Sequence, residues 1–181
     1  MSTPSEPDRV KLVVASTYRE IKILDQVMDL MSENYGKIDF IGDEYNFHFT
    51  DYYRDEMGEG LKKRIFSFRE LIFPETIREI KWFTHKLEKR FSEENRRLIN
   101  LDPGYITKDN FLLTTFKKSP HRIYIGDNVY AEIELIYENA EFSVLKWTYP
   151  DYRAKEVINN LNSIRGLYLS QLRSLRRNKD V

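Results

Sequence analysis

Cysteine is absent from the 181 residues, which excludes a disulfide framework, thiolate nucleophiles and cysteine-ligated zinc. Net charge is absent too, because 29 Lys and Arg balance 29 Asp and Glu. The chain therefore has no overall field to hold it on DNA, although a local basic patch stays open. No apolar run approaches the roughly 20 residues of a membrane-spanning helix. The opening MSTPSEPDRV is polar and proline-bearing, without the apolar core of a signal peptide, so a cytoplasmic protein is expected. Neither G-x-x-x-x-G-K-[ST] nor a G-x-G-x-x-G after a strand occurs, so the backbone cradles for nucleotide phosphates are missing. H-E-x-x-H and G-x-S-x-G are missing as well. The histidines, His48, His85 and His121, are scattered, and His85 is expected on a helix surface. No repeat or Gly/Ser hinge divides the chain. Residues 10–175 read as one α+β domain between a disordered lead (1–9) and a basic tail (176–181).

What is present is aromatic: 12 Tyr and 11 Phe. Tyrosines in such number suit half-buried sites with the ring inside and the hydroxyl at a polar boundary. VKLVVA (10–15) reads as a buried strand, and Thr17 and Glu20 have the spacing of a capping box. A helix then carries Ile21, Leu24, Val27, Met28, Met31 and Tyr35 on one stripe and stops at Gly36. KIDF, EYNFHF and RIFSF read as strands. Pro74 opens a second helix, striped by Ile77, Ile80, Phe83, Leu87 and Phe91, and RLINL (97–101) is the next strand. Strand, helix, strand, strand, helix, strand is the order of a ferredoxin-like, split βαβ sheet with its helices on one face. Residues 111–116 are ambiguous between helix and strand. A hairpin with a Gly126-Asp127-Asn128 loop follows, its second arm alternating Val129, Ala131, Ile133 and Leu135 with Tyr130, Glu132, Glu134 and Ile136, and a final helix begins near Ala154.

Four stretches mix acids and tyrosines at strand ends, where sites are commonly built. In FTDYY, Asp51 and Tyr52 follow a strand. In NLDPGYIT, Asp102-Pro103-Gly104 has the chemistry of a turn, which leaves Asn100 and Tyr105 unexplained. In HRIY, Arg122 offers a planar fork for phosphate or carboxylate, and His121 a group that titrates near neutrality. The two share a pocket only if His121 precedes the strand, since strand side chains alternate. The plainer alternative is an edge arginine paired with an acid such as Glu132. In WTYPDY, Asp151 suits a cap on the final helix. A divalent cation held by Asp51, Glu56, Asp102 or Asp151 is left open, since their spacing does not specify one. Arg173, Arg176, Arg177 and Lys179 lie at a helix end, where cations are favoured.

VKLVV, FTDYY with EMG, FTHKLE, NLDPGYIT, HRIYIGDNVYAEIEL and WTYPDYR, in that order, resemble a family of small prokaryotic proteins, domain-of-unknown-function family 4416. The likeness runs from Val10 to Leu169. It implies no activity. Some members bear a GTP-binding label, but this chain lacks the phosphate loop such a label needs.

The expected function is binding of a small anionic, phosphate- or nucleotide-like ligand in a cleft. Tyr52, Asn100, Asp102, Tyr105 and Arg122 would bind it, and Asp51, His121 and Asp151 would supply acid–base or hydrolytic catalysis. A homodimeric interaction module contacting through its tyrosine-rich sheet, and an RNA-associated module using the basic C-terminal end, are the alternatives.

Overall fold

Nine consecutive residues, Val10–Tyr18, are buried. A strand so apolar and so covered has to be central, with a layer on each face. This is β1 of the computed structural model, which describes residues 3–47, 57–94 and 96–177. Leu12 and Val14 face one core, Val13 and Ala15 the other.

The element order is β1, α1 (Ile21–Tyr35), β2 (Ile38–Ile41), β3 (Tyr45–Asn46), β4 (Lys62–Ile72) and α2 (Ile77–Arg90), then β5 (Ser92–Glu93), β6 (Arg96–Arg97), β7 (Ile99–Ile106) and β8 (Asn110–Thr115). It closes with β9 (Ile123–Gly126), β10 (Val129–Glu138), β11 (Glu141–Val144) and α3 (Lys155–Arg177). The main sheet runs β11-β10-β8-β7-β1-β4-β2, with β3 beside β4 and β9 beside β10. Its pairings are antiparallel. The architecture is α+β, and the nine-stranded sheet is larger than that of a ferredoxin-like fold.

Two helical layers cover it. The stripe Leu24, Val27 and Met31 of α1 and Ile77, Ile80 and Leu87 of α2 packs on Leu12, Val14, Phe66, Phe68 and Leu101. Val157, Leu161, Ile164, Tyr168 and Leu172 of α3 pack on the opposite face, over Val13, Ile65, Phe111 and Phe142. The first two helices share a face as expected, and the last one closes the other.

Several local readings are corrected. Thr17 does not cap α1. The ladders to β4 and β7 continue to Tyr18, so Thr17 is held in the strand, and Glu20 precedes the helix without a side-chain cap. Gly36, at φ 88°, ends α1 as expected. The Gly126-Asp127-Asn128 loop is a two-residue turn: Gly126 pairs with Val129, and Asp127 and Asn128 take positive φ. Ambiguous residues 111–116 are mostly β8.

Two corrections bear on the site. Asp102-Pro103-Gly104 is not a turn but the middle of β7. Pro103 is tolerated because its missing donor falls on the side that β8 has left. Gly104 is needed because a Cβ there would overlap the Leu112 carbonyl oxygen. In β10 the alternation breaks. Ile133 opposes Leu112 and Leu135 opposes Phe111, so Glu134 is the extra residue of a bulge. The bulge turns Glu132, Glu134 and then Leu135 toward the α3 side, leaving Ile133 partly exposed.

Candidate functional site

The strand that reads as a turn marks where the sheet divides. β7 and β8 pair only through Gly104, Tyr105 and Ile106. Beyond that point β8 continues with β10 and β7 with β1. A strand edge left open inside a protein must find partners for its peptide groups. Here side chains supply them. The Leu101 N–H donates to Glu88 Oε1 (2.7 Å), Lys81 Nζ donates to the Leu101 carbonyl (3.1 Å), and Thr114 Oγ1 donates to the Pro103 carbonyl (2.6 Å).

A cavity of about 510 Å³ occupies this split, with β7 and β8 as two walls, α2 as a third and residues 149–152 as a fourth. On the α2 side, Glu88 is 4% exposed, and burial holds its carboxyl above the usual range. Lys81, the Leu101 N–H and Arg97 pull it back toward the anion. His85 Nδ1 lies 3.5 Å from Glu88 Oε2. Arg97 donates to Asn100 Oδ1 (2.8 Å), and Asn100 donates to Asp102 Oδ2 (2.8 Å). Lys81 stands 3.7 Å from Asp102.

On the opposite side Lys63 and Asp151 form an ion pair with both side chains buried. The Lys63 ammonium lies 4.5 Å from the Tyr152 ring centroid and 5.3 Å from that of Phe47, within cation–π range of both. Glu132 reaches the cavity from β10, with Arg122 at 3.1 Å and His121 at 2.7 Å behind it. Glu134 is fully buried behind the 149–152 wall. Its Oε1 accepts from the Tyr149 N–H (2.5 Å). Burial first, then the Glu132 and Asp151 carboxylates, push its pKa up to about 8 against the pull of that N–H and of Lys63.

Of the residues expected in the site, Asn100, Asp102 and Asp151 line the cavity. Asp151 meets Lys63 rather than capping α3. His121 and Arg122 both precede β9 and converge on Glu132, so the pairing offered as the plainer alternative for Arg122 is the one observed. Arg122 also donates to the Tyr149 hydroxyl (2.6 Å) and the Lys117 carbonyl (2.9 Å), and His121 stacks on Trp147. Tyr105 packs in the core under α1 and α2, on the face of β7 opposite to Asn100 and Asp102. Asp51, Tyr52, His48 and Glu56 lie outside the described residues. The cavity adds Lys63, Lys81, His85, Glu88 and Glu132, which sequence reasoning did not put in the site. Lys81 and Glu88 were within reach of it: they fall among Ile77, Ile80, Thr84 and Leu87 at the spacing of the buried stripe. Among the described residues no group of three or more His, Asp or Glu is arranged to hold a metal ion, and no helix is long and apolar enough to cross a membrane.

Fold and site thus define an α+β protein whose antiparallel sheet opens onto a charged internal cavity. Residues 8–168 match the family described as Domain of unknown function (DUF4416), and the chain belongs to that family. No curated protein and no solved structure matches it.

Proposed function

We propose that the protein binds a small anionic organic molecule in the cavity between β7 and β8. The observation that carries this reading is the opening itself. Two neighbouring strands give up their pairing, and the gap is edged with Lys81, Glu88, Arg97, Asp102 and Lys63 rather than filled with apolar side chains. Charges are rarely retained at such depth unless a role offsets their desolvation. About 510 Å³ is within the usual range for metabolite pockets. Lys81 and Arg97 supply donors for a phosphate or carboxylate, and Phe116 and Tyr149 supply flat apolar walls. In this reading Glu88 and His85 are the pair that exchanges protons with the ligand, in place of the expected Asp–His pair. We also read β1, α1, β2, β4, α2 and β7 as a ferredoxin-like core to which β8–β11 and α3 are added.

A thermal-shift panel of nucleotides, sugar phosphates and small carboxylates tests the binding. A ligand at a hundred times its Kd stabilises by about 2.7 kcal/mol, a rise of roughly 5–10 °C in Tm for a chain of this size. The rise is expected in the wild type and lost in Lys81→Met. A shift unchanged in Lys81→Met would move the site elsewhere.

One observation favours a second reading, the homodimer. On the α1/α2 side of the sheet, the outer strands carry exposed Ile123, Ile133 and Ile136. Light scattering that finds only monomer at micromolar concentration would remove it.

A further inference from the structure

The wall of the cavity beside Lys63 holds more unsatisfied polar atoms than a folded protein usually tolerates in one place. Tyr152 lines the cavity, and its buried hydroxyl has no hydrogen-bond partner among the described residues. Behind it, Glu134 Oε2 and the Tyr45 hydroxyl are buried and likewise have no partner among the described residues. Each such atom costs on the order of 1–3 kcal/mol, and a cluster of them beside a cavity points to a group that enters and completes them.

We infer that this wall, formed by Lys63, Asp151 and Tyr152 with Glu134 behind, is the subsite for a carboxylate of the ligand, and that the Tyr152 hydroxyl donates to it. The inference rests on the cavity being a ligand site. The choice of a carboxylate over a phosphate follows from charge. Lys63 is already neutralised by Asp151. Glu134 carries its proton at neutral pH, since its pKa is near 8, and the Tyr152 phenol is held well above its usual pKa by burial, so it stays a donor. The wall therefore offers donors with no net charge. That suits a single negative charge. A dianion is better placed against Lys81 and Arg97.

The wall also predicts a pH response. The groups facing Glu134 are Lys63 from β4, Asp151 and the Tyr149 N–H from the 149–152 wall, and Glu132 from its own strand. Tyr45 and Tyr152 add phenols, and Lys63 adds a positive charge. When Glu134 ionises near pH 8, the wall gains a negative charge and repels the carboxylate.

The test uses the full chain titrated with benzoate, and separately with inorganic phosphate, followed by NMR. Wild type, Tyr152→Phe, Glu134→Gln and Lys81→Met are compared. Benzoate stays ionised from pH 6.5 to 9, so a change in its affinity reports the protein. Tyr152→Phe should fold with an unchanged or higher Tm, because its hydroxyl loses no partner among the described residues, and should bind benzoate at least about tenfold more weakly, the worth of one hydrogen bond to a charged group. Wild type should lose benzoate affinity between pH 7 and 9. Glu134→Gln should bind as wild type does at pH 6.5 and keep that affinity at pH 9. Benzoate binding that ignores Tyr152→Phe, or a fall with pH that persists in Glu134→Gln, would overturn the inference. So would phosphate binding that depends on Tyr152 while benzoate does not bind. Loss of either anion in Lys81→Met, with no effect of Tyr152→Phe, would leave the cavity reading standing and remove only the carboxylate subsite. No binding of either anion, with a blank panel, would remove both.

Discussion

Lys63 and Asp151 are buried together, and among the described residues neither forms a second ion pair. Removing one partner of a buried pair leaves an uncompensated ion, at a cost of about 3–5 kcal/mol. Lys63→Met is thus expected to lower Tm by about 6–20 °C, and Lys63→Met with Asp151→Asn to recover part of that loss. Glu134 makes a prediction of different sign. Its usual pKa is 4.5, and in the fold it is pushed up to about 8. The folded state therefore holds a proton that the unfolded state has released, and stability falls as pH rises from about 4.5 to about 8. Glu134→Gln keeps the oxygen that accepts from Tyr149 and has no proton to lose. Its thermal midpoint at pH 8 is expected to exceed that of the wild type, with the two converging toward pH 4.5. At this scale the sequence showed part of the site. Asn100 stood out because turn chemistry did not need it, and Glu132 appeared as the natural partner of Arg122. Glu134 stayed hidden because strict alternation hides a bulge: one extra residue reverses which side chains point inward.

At the scale of elements, helices were the more legible. The stripes of α1, α2 and α3 each lie within one contiguous segment, and a period of 3.6 is readable there without knowing the partner. Strand β7 was misread for an equally local reason. Asp-Pro-Gly carries the chemistry of a turn, and only the departure of β8 makes proline harmless and glycine necessary at these positions. The capping box at Thr17 and Glu20 failed because two ladders outcompete one cap. Gly104 gives this scale its test. Any side chain there meets the Leu112 carbonyl of the neighbouring strand. Gly104→Ala should push β8 away where its pairing with β7 begins, at a cost of about 3 kcal/mol. It should also speed amide exchange at Leu112 and Leu113 while leaving α1 unaffected.

For the whole molecule, a sheet covered on both faces encloses a cavity where two of its strands part. The sequence order of strands and helices was legible. The size of the sheet, and the placing of α3 on the second face, were not, because they depend on which strands meet across long separations. The site follows the same rule. It gathers Lys63, Lys81, Glu88, Asn100, Asp102, Glu132 and Asp151 from four separate elements and the 149–152 segment, and no local pattern joins them. The central claim is that a ligand enters the β7–β8 split. Amide exchange with and without the strongest stabilising compound of the panel tests it directly. The account predicts slowed exchange at Leu101, Asp102 and Thr114–Lys117, with the outer strands around Ile133, Ile136 and Val144 unchanged. Protection confined to those outer strands, or none in the split, would contradict it.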